Sequence, residues 1–103
     1  MKPIVSVLAI LLISLPAAAA SVADNYKAKC VMCHGPDGSA STPMGKKLAV
    51  RDLRSAEIQS QTDAQLSAMI ENGKGKMPGQ KGRLSKDELR QLVTHIRGLA
   101  RKG

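Results

Sequence analysis

Apolar and polar positions fall into a helical rhythm over the last part of the chain. Leu89, Leu92, Val93, Ile96, Leu99 and Ala100 recur at spacings that share one helix face, while Arg90, Arg97 and Arg101 fall towards water. Ser85 and Glu88 form a capping box in front of them, with Leu84 and Leu89 as its hydrophobic staple, which predicts a terminal amphipathic helix. A shorter helix is predicted from Thr62, with Gln65 three residues on, Leu66, Met69 and Ile70 on one face, and a stop at Asn72-Gly73. Arg54 to Gln59 can hold one or two further turns. Upstream, Asp24 to His34 reads as a helix whose stripe runs through Ala23, Tyr26 and Cys30. The stretch from Gly35 to Gly45 is rich in Gly, Ser and Pro and reads as loop. With no alternating strand pattern, repeat or linker, the expected fold class is all-α, with three to five helices.

The first residues have a different pattern. After Lys2, Ile4 to Leu15 is an apolar run broken only by Ser6 and Ser14; Pro16 ends it and Ala17 to Ala20 supply small residues. That is the layout of a secretory signal peptide over residues 1–20, cleaved most simply between Ala20 and Ser21. The run is short for a membrane span, which takes about 20 residues; an uncleaved anchor is the alternative. One domain, residues 21–103, is then expected outside the cytoplasm, in the periplasm.

Composition sharpens the picture. The chain has no Phe and no Trp, and its single Tyr is Tyr26. A domain this small struggles to bury enough apolar surface, and the lack of large aromatics worsens the deficit. Something other than side chains should fill its middle. The chain carries 16 basic and 8 acidic residues, a net charge of +8, of which the signal segment takes away only Lys2. Such a surface suits anionic partners. Nucleic acid is excluded as one of them, because the domain is exported, lacks aromatics for stacking bases and shows no nucleic-acid-binding motif.

The two cysteines identify the filler. Cys30-Val31-Met32-Cys33-His34 is the C-x-x-C-H pattern of covalent haem attachment. On a helix, Cys30, Cys33 and His34 share one face, so two thiols can add to the two vinyl groups of one porphyrin while His34 reaches its iron. A thioredoxin-like dithiol would need a βαβ context that this chain lacks. A structural zinc would need four ligands, and only Cys30, Cys33, His34 and the distant His95 are on offer.

These residues, with Gly35, the helix from Thr62 to Gly73, Met77-Pro78 in a Gly/Lys-rich loop and the terminal helix, occur in the order found in short bacterial class I c-type cytochromes. The chain resembles that family over nearly all of residues 21–103. The resemblance implies a small cytochrome c fold wrapped around one covalent haem c, with no enzyme activity and no small-molecule substrate.

A second axial ligand is expected besides His34. Met77 fits best, because Gly73, Gly75 and Gly79 free the backbone around it and Pro78 stiffens the chain after its sulfur. The similar family also places its sixth ligand in a Met-Pro loop. Met44, His95 and an open site stay as alternatives, and an open site would allow gas binding or peroxidase chemistry. Met32 is inside the attachment motif, and Met69 reads as a core residue. His95 flanks the buried stripe of the terminal helix and reads as a packing residue, where the family often has tyrosine. The resemblance also suggests that the Pro43 carbonyl turns towards the other ring nitrogen of His34, against its plain reading as a loop proline. Lys27, Lys29, Lys46, Lys47, Lys74, Lys76 and Lys81 should border the haem crevice. They suggest a monomeric single-electron carrier docking on acidic surfaces of a reductase and an oxidase, with a dedicated subunit of one complex as the alternative.

Overall fold

Local capping chemistry sets most of the helix boundaries. The computed structural model describes Pro3 and residues 21–102, so the expected signal peptide lies outside the described residues. Six helical segments follow in order: α1 Val22–Lys29, α2 Val31–His34, α3 Pro43–Leu48, α4 Ala56–Gln59, α5 Asp63–Asn72 and α6 Lys86–Lys102. The Ser21 hydroxyl caps α1 by accepting from Asp24 N at 3.1 Å. Ser55 does the same for α4, and Thr62 and Gln65 form a complete capping box on α5. The capping box expected at Ser85 is present: Ser85 N donates to Glu88 Oε1 at 3.0 Å, and Glu88 N to Ser85 Oγ at 3.1 Å. Among the described residues there is no strand, only an isolated bridge between Lys74 and Met77.

The all-α expectation holds, with two refinements. The helix expected over Asp24 to His34 is divided at Cys30, whose φ of −122° leaves the helical range. Hydrogen bonds run through the break, from Cys30 N to Tyr26 O and from His34 N to Cys30 O, both at 2.9 Å. The stretch expected as loop up to Gly45 contains the start of α3. Thr42 caps it, accepting from Gly45 N at 2.9 Å, and Pro43 occupies its first turn, where a missing N–H costs nothing.

One apolar cluster joins the segments: Tyr26, Leu53, Ile58, Leu66, Ile70, Leu89, Leu92, Val93, Ile96 and Leu99 are all buried. The stripe of α6 supplies half of it and packs against both α1 and α5. Tyr26 is only 3% exposed; its hydroxyl donates to Gly35 O at 2.7 Å and its ring centroid lies 4.5 Å from that of His95. Tyr26 thus packs on the neighbouring helix, and His95 is the half-buried packing residue expected.

Polar contacts hold the shell. Asn25, 4% exposed, donates to Glu88 Oε2 at 2.8 Å, so one carboxylate both caps α6 and ties α1 to it. Arg97 on α6 donates to the carbonyls of Gln59 and Gln61 and pairs with Asp63 at 2.9 Å. The Gln59 amide donates to Leu53 O and Ile96 O at 2.8 and 3.1 Å. The carbonyls of Leu53, Gln59 and Gln61, which no helix satisfies, are thereby paired.

Gly45 brings α3 against the haem-motif helix. A Cβ there would overlap the Cys33 carbonyl and lie 2.7 Å from Ala40 O. Gly45→Ala should therefore destabilise the protein by about 1–3 kcal/mol, read as a lower urea midpoint.

The Glu88 carboxyl is held below its usual range, first by the Ser85 N–H and then by the Asn25 amide. A carboxylate whose folded pKa is depressed contributes stability above its unfolded value and loses that contribution as pH falls through its folded value. The wild type should thus lose more stability than Glu88→Gln between about pH 6 and about pH 3, the range over which a glutamate titrates. Parallel urea titrations would measure the difference.

Candidate functional site

The helices do not close on one another everywhere. They leave a cavity of about 250 Å³ whose lining is mostly apolar. Cys30 and His34 line it from the α1–α2 segment, and Leu48, Ala49, Val50 and Arg51 from the end of α3 and the chain after it. Leu66, Met69 and Ile70 of α5 and Ile96 of α6 add apolar surface, and Met77, Lys74 and Lys76 border it from the loop after α5.

His34 is held by one hydrogen bond, from Nδ1 to the Arg51 carbonyl at 3.1 Å. A carbonyl can only accept, so Nδ1 carries the proton and Nε2 the lone pair. Burial holds the imidazole pKa down, against a smaller upward pull from the Arg51 carbonyl. A neutral ring with a free lone pair is the form that binds a metal ion. The family resemblance assigns this bond to Pro43, and the structure gives it to Arg51 instead. The reason is geometric: Pro43 is the first residue of α3, where its carbonyl points along the helix axis towards the next turn.

Cys30 and Cys33 are free thiols, both half-buried. Burial pushes the Cys30 thiol up to about 11, with Lys29 opposing it weakly. A redox dithiol needs a nucleophile with a lowered pKa, so this environment does not suit thioredoxin-like exchange. Cys30 lines the cavity; Cys33, one residue before His34, does not.

The loop carrying Met77 folds tightly onto the end of α5. Lys74 N donates to Met77 O at 3.1 Å and Met77 N to Lys74 O at 2.9 Å, while Gln80 N and Lys81 N return to Ile70 O and Glu71 O, each at 2.9 Å. Gly73 permits the closure: its φ is +75°, and a Cβ would stand 2.5 Å from Met77 O and 2.6 Å from Gly79 N. Met77 is half-buried and packs against the core cluster.

The other candidates for a second ligand separate cleanly. Met44 on α3 is 38% exposed, Met32 is 73% exposed, and neither lines the cavity. His95 does not line it either. Met69, expected as a plain core residue, does line it and gives the cavity a second thioether. The sequence reading also missed the Arg51 carbonyl, since a main-chain acceptor has no residue signature. It missed α3 as well, although Thr42-Pro43 is a legible cap and first-turn pair.

The residues present fit a haem. Apolar walls suit a flat macrocycle, an imidazole nitrogen and a thioether sulfur are the usual axial donors of a cytochrome iron, and Cys30 offers a thiol at the edge. Arg51, Lys74 and Lys76 line the same cavity and can take carboxylate groups. Among the described residues no helix is long and apolar enough to cross a membrane.

Comparison with known proteins points the same way. Residues 17–96 match the family model described as cytochrome c oxidase, cbb3-type, subunit III. Cytochrome c6 of Leptolyngbya boryana is 32% identical over 78 residues, spanning 76% of this chain and 88% of that protein. Cytochrome c6 of a Synechococcus species is 30% identical over an alignment of 105 positions, spanning 93% of this chain and 91% of that protein. Among solved structures, the KustC0563 c-type cytochrome superposes with a TM-score of 0.69 at 30% identity, covering 78% of this chain and 98% of its own. With matches of this extent on a helical shell around an apolar cavity, the chain belongs to the c-type cytochromes as a small class I member, a family that binds haem c covalently.

Proposed function

We propose that this protein is a periplasmic single-electron carrier that shuttles between redox protein partners. It would be exported by residues 1–20 and work as one domain over residues 21–103. Cys30 and Cys33 would hold one haem c through thioether bonds, with His34 and Met77 as its axial iron ligands. The observation that carries the reading is that His34 and Met77 reach one apolar cavity from separate parts of the fold.

Bound haem supplies one-electron chemistry, the interchange of ferric and ferrous iron. The protein's own contribution follows from its residues. His34 presents Nε2 as a neutral donor because Nδ1 is engaged by Arg51 O. The Met77 thioether, a soft donor, favours the reduced state and raises the potential. Two protein ligands leave no position for a substrate, so the chain acts as a carrier and not as an enzyme. Leu66, Ile70 and Ile96 keep water away from the centre. Lys74 and Lys76 are exposed on the loop that carries Met77, where they can steer a monomer onto the acidic docking surfaces of a reductase and an oxidase.

A near-infrared spectrum of the oxidised protein tests the ligand. The sulfur-to-iron charge-transfer band should vanish in Met77→Ala and persist in Met69→Leu and Met44→Leu. Persistence in Met77→Ala with loss in Met69→Leu would move the ligand to the other thioether of the cavity. A wild type without the band would favour an open site and binding chemistry.

Reaction rates with an acidic redox partner test the steering. Lys74→Glu with Lys76→Glu should slow association by about tenfold at low ionic strength, and the difference should shrink as salt is added. Equal rates would remove these lysines from the docking surface.

A further inference from the structure

The thioethers of the described residues fall into two groups. Met69 and Met77 are half-buried and line the cavity. Met32 and Met44 do not line it, and they are the exposed large hydrophobic residues, at 73% and 38%. The two stand on adjoining elements. Thr42, the cap of α3, donates its hydroxyl to Met32 O at 2.7 Å, and Met44 follows two residues later on that helix. The same hydroxyl lies 3.1 Å from Cys33 O, so α2 is held against α3 at this point. The exposure of Met32 therefore belongs to a fixed helix and not to a loose end. Burying a methionine side chain is worth about 1.5–3 kcal/mol, yet neither of these thioethers joins the core cluster.

Few other groups on the surface compete for an oxidant. The chain has no Trp, and Tyr26 is buried. Cys30 and Cys33 are taken up as thioethers in the haem reading above, on which this inference rests. Susceptibility of a thioether follows its access to solvent. Among the described residues the Met32 sulfur is then the most accessible group that peroxide oxidises readily.

We propose that Met32 is a reversible oxidation site for hydrogen peroxide, with Met44 next in order, and that oxidation there leaves the haem centre intact. A sulfur lone pair attacks one peroxide oxygen. The S–O bond forms as the O–O bond breaks, the sulfur gives up two electrons, and the other oxygen leaves as water after taking a proton. The product at Met32 is a polar sulfoxide on a side chain that already faces water, so no packing is lost. The same change at Met69 or Met77 would place a polar group in the apolar cavity, and at Met77 it would also remove the thioether proposed as iron ligand. The outer pair thus takes up peroxide oxygen while the inner pair is spared. Methionine sulfoxide reductases, which return the oxygen as water at the expense of thiols, restore the thioether.

Peroxide treatment of the oxidised, exported holoprotein tests the order, with peptide mass mapping and the near-infrared band followed in the same samples. The sulfoxide should form first at Met32 and then at Met44, with Met69 and Met77 at least about tenfold slower because burial restricts access. The sulfur-to-iron band should be unchanged when Met32 is fully converted, and treatment with both epimer-specific reductases should remove the added mass. In Met32→Leu the first oxygen should appear at Met44. A sulfoxide at Met69 or Met77 before Met32, loss of the band in step with Met32 oxidation, or a mass that the reductases do not reverse would overturn the proposal. Failure of the haem reading shows itself before peroxide is added, as cysteines open to alkylation, and the order among the four methionines is still read by mass.

Discussion

A chain of this size with one aromatic side chain must bury apolar surface against something that it does not itself contain. Among the described residues ten buried apolar side chains form a shell, and that shell stops short of filling the middle. Tyr26 is used elsewhere, bonded to Gly35 O and packed against His95, and does not line the cavity. The cavity is therefore part of how the fold is built. A covalently held apolar group would serve as the missing core and as the functional centre, and the stability of the domain would depend on its insertion.

Separate parts of the shell border the cavity. Cys30 and His34 sit next to the break between α1 and α2, where hydrogen bonds run through although the backbone leaves helical geometry. Met77 is carried by a loop that closes on α5 through paired main-chain bonds and two closely packed glycines. α6 connects these parts: Glu88 ties it to α1, and Arg97 ties it to the turn between α4 and α5. Both tethers engage backbone groups that would otherwise lack partners, so they define the positions of loops as well as helices.

Features with a side-chain signature could be read from the residues alone. Cys30, Cys33 and His34 announce themselves by spacing, Thr62 and Ser85 by their capping boxes, and the stripe of α6 by its period. The Met-Pro loop was legible as a turn between α5 and α6, because glycines and a proline surround Met77. Features made by the main chain were not. The acceptor for His34 is the main-chain carbonyl of Arg51, which no composition rule foretells. The glycine and serine content of residues 35–45 hid the Thr42-Pro43 helix start. The period places Met69 on the inner face of α5, but an inner face here is also a cavity wall, and periodicity does not distinguish the two.

The most direct test of the central claim is the intact mass of the exported, purified protein, measured with and without thiol alkylation. A polypeptide beginning at Ser21 with the mass of one haem added, and with neither Cys30 nor Cys33 open to alkylation, is the predicted result. A bare polypeptide that takes up alkylating reagent at both cysteines would contradict it, and the cavity between His34 and Met77 would then need another occupant.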